Sequence, residues 1–324
     1  MPDIVDHLTQ IIRQPRQVSI PPPLSIGLGA LACIGLLYKS NSYLSRRALN
    51  SPAGKDTWDW DKEIVVVTGG ASGIGAAIVK LFAEQGIKTI GLDLCRPHPD
   101  AVLLLTRAET ENAFFYQVDL TNVEHINRVA ERIRSEHGDP TVLINNAGIQ
   151  WNKPILDLPQ DRLHATFEVN IISSFLLVKE FLPAMVSNDH GHVVTVASLA
   201  SFTTRAVNVD YACTKSAALA FHEGLGQEIR HIYRAPGVRT TIIHPGWVKT
   251  PLIKKLMQSG ALKGHLLEPE EVAEAILKQL RSTFGAQVFL PSNFWILSLV
   301  RGAPSWIQER IRNLLTTSRG YDHN

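Results

Sequence analysis

The sequence predicts an α/β chain: a doubly wound, mostly parallel sheet of seven strands, with an apolar segment in front and an appendage behind. Three observations predict it. Short runs rich in Val and Ile recur without polar alternation, as strands covered on both faces require. Between them lie longer stretches whose apolar residues repeat at helical spacing. The first run leads directly into a glycine-rich turn and a helix, the order in which a parallel βαβ unit begins. A length of 324 residues suits one large α/β domain with additions at its ends.

Glu63 to Thr68 (EIVVVT) is the first strand, followed by Gly69-Gly-Ala-Ser-Gly73-Ile-Gly75 and a helix carrying Ile78, Val79, Phe82 and Ala83. This order forms a dinucleotide site: glycines let the backbone approach a pyrophosphate, and the helix N-terminus offers amide donors and a positive dipole end. Ile87 to Asp93 is the second strand, and Asp93 stands eighteen positions beyond Gly75, about where an acidic residue meets the adenosine ribose. Such a carboxylate repels a 2′-phosphate and favours NAD(H), while Arg96, three residues on, keeps NADP(H) open. Phe114 to Leu120 is the third strand and carries Asp119. Thr121-Asn122 then caps a helix with Val123, Ile126, Val129, Ala130 and Ile133 at helical spacing.

Val142 to Asn146 is the fourth strand, closed by Asn145-Asn146-Ala147-Gly148. His164 to Val186 reads as a helix with Phe167, Ile171, Phe175, Val178 and Leu182 as its inward stripe. Gly191 to Ala197 is the fifth strand and delivers Ser198. A helix over Val209 to His222 follows, then Val238 to His244 as the sixth strand, ending in Pro245-Gly246, and Gln287 to Leu290 as the seventh. Ligands of such sheets bind beyond the carboxyl ends of the strands. The glycine turn, Asp93, Asp119, Asn146, Ser198 and Pro245-Gly246 therefore share one rim.

In front of the first strand, Leu24 to Tyr38 (LSIGLGALACIGLLY) is continuously apolar or small, flanked by Arg13 and Arg16 before it and Lys39, Arg46 and Arg47 after it. Its fifteen residues reach about 22 Å as a helix, against a hydrocarbon core of about 30 Å. A span needs Val18 to Leu24, with three prolines, in lipid as well; a hairpin, a re-entrant insertion or a monolayer anchor fits equally. Ile4, Val5, Leu8, Ile11 and Ile12 fall at the spacing of an amphipathic surface helix. Asn41 to Lys62, with Ser51-Pro-Ala-Gly54, reads as connecting chain. The organisation expected is a membrane-anchor segment at 1–50, a linker at 51–62, the α/β domain at 63–291 and an amphipathic extension at 292–324. In that extension the apolar run to Leu299 is broken by Pro291, Ser292, Asn293 and Ser298, which suits a dimer or membrane-contacting surface better than a span.

Composition narrows the function. With 45% apolar and 19% charged residues and a formal net charge of +2, the chain has no nucleic-acid footprint. Three cysteines without CxxC spacing encode neither a disulfide framework nor a zinc site and imply a reducing compartment; Cys95 and Cys213 are expected to be small buried side chains. His98, His125, His164 and His190 are scattered singly, so no metal is expected. Tyr211 and Lys215, four apart, fall on one helical face. The lysine cation is expected to pull the phenol below its usual pKa of about 10 and make it a usable acid and base.

The motifs together resemble the short-chain dehydrogenase/reductase family from Ile64 to about Leu290. They are Thr68-Gly-Gly-Ala-Ser-Gly-Ile-Gly75, the acidic Asp93 and Asp119, Asn145-Asn-Ala-Gly148, Asn170, Ser198, Tyr211-Ala-Cys-Thr-Lys215 and Pro245-Gly-Trp-Val-Lys-Thr250. The N-terminal apolar segment, the run His192 to Ser198 with Asp210 to Lys215, and Pro304-Ser-Trp-Ile-Gln are similar to the membrane-associated retinol and hydroxysteroid dehydrogenase branch.

That resemblance implies a Rossmann-like fold and hydride transfer between a nicotinamide cofactor and a lipophilic alcohol or its aldehyde or ketone. Tyr211 would transfer the proton, Ser198 would position the substrate oxygen, and Lys215 would act on Tyr211 and bind the nicotinamide ribose. Asn170 would hold a water linking Lys215 to solvent. Ser198 is preferred to Ser201 because it ends the strand directly. Gly69, Ser72, Gly73, Ile74 and Gly75 would meet the pyrophosphate, and Asp93 and Asp119 the adenosine. Asn146 and Gly148 would line the cleft, and Val248 and Thr250 would meet the carboxamide and phosphate. Trp247 to Leu267 lies where a substrate lid is expected. A homodimer is expected, at the endoplasmic reticulum or a lipid droplet with the catalytic domain cytosolic. The alternatives are an NADPH-dependent ketoreductase of secondary metabolism and a non-catalytic dinucleotide-binding scaffold on a membrane or lipid droplet.

Overall fold

The computed structural model describes residues 36, 39–41, 43–50, 58–95, 111–260, 262 and 266–317. The chain divides into two units, Met1–Ala48 and Leu49–Asn324. In the first unit the described residues are helical and exposed. Helix therefore occupies part of the stretch from Asn41 that reads as connecting chain. Apart from Leu36, the apolar segment Leu24 to Tyr38 lies outside the described residues, as do Arg96 and His98.

In the second unit, seven parallel strands stand in the order β3-β2-β1-β4-β5-β6-β7. They are β1 (Ile64–Thr68), β2 (Lys88–Asp93), β3 (Ala113–Gln117), β4 (Val142–Asn145), β5 (Gly191–Val196), β6 (Val238–Pro245) and β7 (Ala286–Leu290). The sheet is doubly wound and Rossmann-like, as the sequence predicts. All five residues of β1 are buried, because helices cover both of its faces. Val66, Ile90, Leu143, Val193 and Ile242 face one helical layer, made by α2 (Val123–His137), α4 (Ser173–Ser187) and α5 (Val209–His231). Val65, Val67, Val142, Ile144, Val194 and Ile243 face the other, built from α1 (Gly73–Glu84) and α7 (Pro269–Arg281), the short α6 (Lys254–Gln258) lying between β6 and α7 in the chain. Period-two alternation along each strand thus feeds two separate cores.

Local chemistry fixes the helix ends. Asn122 accepts from His125 N at 3.0 Å to cap α2, whose buried face is Ile126, Val129, Ala130 and Ile133. Glu268 and Glu271 form a reciprocal capping box on α7 with Pro269 at its first turn. Away from the helix ends, Gly285 N donates to Asn50 Oδ1 at 2.6 Å and Asn50 Nδ2 donates to Gly285 O at 3.1 Å, pinning Asn50 beside the start of β7.

One helical expectation needs correcting. The stretch from α3 (Gln160–Phe167) to α4 passes through a π-helical turn at Glu168–Ile172. That turn holds an extra residue and rotates the helix beyond it, so a stripe counted at regular spacing from Phe167 slips. Ser174, Leu177, Val178, Phe181, Leu182 and Met185 are buried, whereas Phe175 is 52% exposed. The helix Gln160–Ser187 is the one described helix long and apolar enough to cross a membrane, and half of its most apolar window is buried in the domain. Its apolarity is that of a core helix.

Beyond β7, a 3₁₀ stretch (Ser292–Gly302) and α8 (Ser305–Thr317) form the extension. It leaves Trp295, Ile296, Leu299, Trp306 and Leu314 exposed.

Candidate active site

The rim at the carboxyl ends of the strands collects the predicted residues. β5 ends at Val196, and Ser198 follows in extended backbone at the start of a short 3₁₀ turn, its hydroxyl accepting from Ala200 N at 3.1 Å. Tyr211 and Lys215 lie one turn apart on α5, with Lys215 Nζ 5.5 Å from the centre of the Tyr211 ring. The ammonium donates to Val196 O at 2.8 Å, which ties α5 to the end of β5. Ser201 is buried and donates to Lys215 O at 2.7 Å, so its hydroxyl is committed to the backbone and Ser198 is the serine left to face a ligand.

Burial governs the protonation states here. The partly exposed phenol of Tyr211 is pushed up to about 12 by desolvation, opposed by a hydrogen bond with the Ser198 side chain and by the charge of Arg205. Lys215, 4% exposed, is pushed down to about 8 by desolvation. The expected depression of the phenol by Lys215 is therefore overturned. The lysine stands against the face of the ring, and removal from water is the largest influence on each group.

Asn170 sits in the π-helical turn with its amide in use. Oδ1 accepts from Ile149 N at 2.8 Å, and Nδ2 donates to Ile149 O and Thr214 Oγ1, each at 3.0 Å. Thr214 Oγ1 in turn donates to Tyr211 O at 2.8 Å. The asparagine thus joins the loop after β4 to the turn of α5 that carries Tyr211. The same loop is tied to β1, where Asn146 Nδ2 donates to Thr68 O at 2.8 Å and Thr68 Oγ1 accepts from the amides of Asn146 and Ala147 at 2.9 Å.

The glycine turn is shaped for a close-approaching ligand. Gly69 and Gly73 have positive φ of 68° and 52°, and a Cβ on Gly75 would stand 2.0 Å from Gly69 O. Ser72, at the N-terminus of α1, makes no capping hydrogen bond, and the first turn holds no acidic residue. Its amides and dipole are open to an anion. Asp93 Oδ2 accepts from Ala71 N at 2.9 Å and Oδ1 from Cys95 N at 3.2 Å, which holds the carboxylate beside the turn. Asp119 lies two residues past the end of β3, where Oδ1 accepts from Thr121 N and Oγ1. Thr250 closes the turn from the far side, its methyl 2.9 Å from where a Gly73 side chain would begin. Val248 is buried and forms a parallel bridge with Leu267. Asn145 lies in the same rim with both side-chain polar atoms buried and unpaired. This cradle fits a dinucleotide.

The sequence model of the short chain dehydrogenase family matches residues 63–261, which runs from just before β1 to beyond β6. The chain belongs to the short-chain dehydrogenase family. It is 43% identical to Dehydrogenase RED2 of Cochliobolus heterostrophus over 220 residues, covering 68% of this chain and 77% of that one. It is 33% identical to estradiol 17-beta-dehydrogenase 11 of Mus musculus over 238 residues, 74% of this chain and 78% of the relative. Epidermal retinol dehydrogenase 2 of Homo sapiens is 33% identical over 222 residues, 67% and 72% of the two chains. These likenesses place it in the retinol and hydroxysteroid dehydrogenase branch. A solved short-chain dehydrogenase from Streptomyces avermitilis shares the fold with a TM-score of 0.65 at 24% identity, covering 81% of this chain and 99% of that one.

As a short-chain dehydrogenase the chain is an NAD(P)-dependent oxidoreductase, which displaces the non-catalytic scaffold reading. Two details of the site differ from expectation or escape it. Cys95 and Cys213 are exposed rather than buried. Cys213 lies on the side of α5 away from buried Ala212, Thr214 and Lys215, and Cys95 just past the end of β2. The residue that sequence reading passed over is Arg205, in the loop between Ser198 and Tyr211, buried with Nε unpaired. A signal existed: it is the only Lys, Arg, Asp or Glu from Gly191 to Val209.

Proposed function

We propose that this short-chain dehydrogenase interconverts a lipophilic alcohol and its aldehyde or ketone with Ser198, Tyr211 and Lys215 as its catalytic set, Asn170 as a positioning residue, and NAD(H) as the preferred cofactor. The observation that carries the reading is geometric: Lys215 Nζ stands over the Tyr211 ring at 5.5 Å and 3.6 Å from where a Gly148 side chain would begin, with Ser198 at the end of β5 on the same rim. These residues would hold a nicotinamide there, which would supply or accept the hydride. Tyr211 gives its proton to the substrate oxygen in carbonyl reduction and takes it back in alcohol oxidation. With the phenol at about 12, the acid form stands ready for reduction. Ser198 orients the oxygen and stabilises charge on it. Lys215 supplies the neighbouring cation, and Asn170 fixes the α5 turn through Thr214.

The carboxylate of Asp93, fixed at the end of β2 next to the pyrophosphate turn, supports NAD(H) over NADP(H), because it would repel a 2′-phosphate. Gly69, Ser72, Gly73, Ile74, Gly75, Asp119, Asn146, Gly148, Val248 and Thr250 complete the cofactor contacts in this reading. A lipophilic substrate and a membrane or lipid-droplet surface are supported by the exposed Trp295, Ile296, Leu299 and Trp306 of the extension and Met257 of the lid, with Lys254 and Lys255 beside it. Exposed Phe175, packed 4.7 Å from Phe221, supports a homodimer surface on α4 and α5.

A panel of steroid, retinoid and long-chain alcohols and carbonyls, assayed with NAD(H) and NADP(H), tests the reading. Turnover is expected with NAD(H) preferred, and Asp93→Ala should lose that preference. A wild type that prefers NADP(H) would refute the cofactor assignment, and one that binds NADH but turns over nothing would refute the substrate class.

A further inference from the structure

Three strand-end loops meet around Arg205, and none of them brings it a countercharge. Its side chain is 6% exposed. Nη2 donates to Asn152 Oδ1 at 2.9 Å, in the loop after β4, and Nη1 reaches Ala206 O at 3.4 Å. The guanidinium stacks 5.4 Å from the ring centre of Trp247, in the loop after β6. Nε is buried without a partner, and among the described residues Arg205 forms no ion pair. Asp210, the acidic residue nearest in sequence, instead accepts from Thr166 Oγ1 at 3.3 Å. A desolvated cation without a carboxylate is costly, and packing alone would be better served by a neutral side chain.

The backbone around this group is strained. Asn152, which holds the guanidinium, has φ 53°, and the β-branched Val207, two residues after Arg205, has φ 56°. Asn208, next along the loop, carries a buried Oδ1 with no partner. The loop leads directly into α5, and the Arg205 charge acts on the Tyr211 phenol. Strain and unmet polar groups, gathered beside a reacting phenol, mark a place arranged for a ligand.

We propose that Arg205 is a substrate-recognition residue that takes an anionic oxygen group, a carboxylate or the enolate of a 1,3-dicarbonyl, carried on the same molecule as the oxygen held by Ser198 and Tyr211. This rests on the proposed function above and narrows its substrate class from any lipophilic alcohol to one bearing an acidic oxygen function near the reacting carbon. Planar guanidinium suits both anions, since each presents two oxygens that a forked donor can meet.

The test compares wild type, Arg205→Gln and Arg205→Lys on four probes: a long-chain 3-hydroxy acid, its methyl ester, a long-chain 1,3-diketone and a simple long-chain secondary alcohol. NADH affinity and melting temperature are measured beside KM and kcat. Wild type should prefer the acid or the diketone to the ester and alcohol, the preferred probe telling carboxylate from enolate. Arg205→Gln should raise KM for that probe by roughly 10- to 100-fold, the worth of a charged hydrogen bond, and leave KM for the simple alcohol within about threefold, any change in kcat through the lost charge beside Tyr211 being common to all probes. Arg205→Lys should restore part of the loss. Equal rises in KM for acid and alcohol, a fall in NADH affinity, or a wild type indifferent to the acidic group would overturn the proposal. Should wild type turn over none of the four, the failure belongs to the underlying catalytic reading. Calorimetric binding of the hydroxy acid and the diketone to the wild-type and Arg205→Gln NADH complexes then decides the role of Arg205, and equal affinities would overturn it.

Discussion

Ser201 Oγ donates to the main-chain oxygen of Lys215 at 2.7 Å, so the two serines near the end of β5 do different work. Ser201 holds the backbone of α5, and Ser198 faces the phenol. Ser201→Ala should therefore cost about 1 kcal/mol of stability, with kcat retained within a few-fold. Ser198→Ala should leave the melting temperature nearly unchanged and lower kcat by about 10²–10³-fold. Thermal melts and steady-state kinetics on both variants check the division, and the reverse pattern would exchange the roles.

Lys215 makes stability depend on pH in an alkaline window. Its folded value, about 8, lies below the 10.5 of the unfolded chain. Between these values the unfolded state binds the extra proton, so this group makes the protein more stable as pH rises from about 8 to 10.5. The gain is on the order of 3 kcal/mol. Tyr211, raised to about 12, acts in the opposite sense only above pH 10. Denaturant titrations of the cofactor-free protein at several pH values should show the wild type gaining on Lys215→Met across the lower window. Parallel curves would contradict the burial of the ammonium.

Three buried histidines make the complementary acid prediction. Burial pushes His192 down to about 3 and His222 and His244 to about 4, from an ordinary 6.5. Each is neutral in the fold, so its contribution is present above pH 6.5 and lost as pH falls toward 4. His244 Nδ1 lies 3.1 Å from Ser198 O and its Nε2 3.1 Å from Gln287 Nε2. His244→Gln should flatten the decline of stability between pH 6.5 and 4 relative to wild type, read from urea midpoints, while an unchanged slope would count against a neutral imidazole there.

Gly75 and Gly86 separate a glycine needed for the cofactor from one needed only for its turn. A Cβ on Gly75 meets Gly69 O at 2.0 Å, whereas one on Gly86, at φ 78°, meets nothing within 4 Å. Gly75→Ala should displace the turn and weaken NADH binding by about 1–3 kcal/mol. Gly86→Ala should cost about 1 kcal/mol of stability and leave NADH affinity intact. Fluorescence titration with NADH distinguishes the two.

Much of this site was legible in the sequence because it is carried by strand ends, and strand ends follow from short apolar runs. The glycine turn, Asp93, Asp119, Asn146, Ser198 and Pro245-Gly246 could be placed on one rim from the order of those runs alone. The features that escaped depend on contacts between distant segments or on backbone geometry without a side-chain signature. The π-helical turn at Asn170 rotated the stripe beyond it and exposed Phe175. Asn50 could not be matched to Gly285 across 235 positions. The pKa of Tyr211 turned on desolvation, which spacing along a helix does not reveal. Arg205 had a visible signal, a lone charge in the loop before Tyr211, but its burial and missing countercharge required the fold.

In the proposed reaction Tyr211 carries the proton of hydride transfer, and the glycine cradle binds the cofactor independently of it. Tyr211→Phe is the most direct measurement, with NADH affinity by titration and turnover on the best substrate of the panel. NADH affinity within about threefold of wild type and kcat lowered by at least 10²-fold, the lower bound for loss of a positioned general acid, are expected. Retention of turnover in that variant would contradict that role.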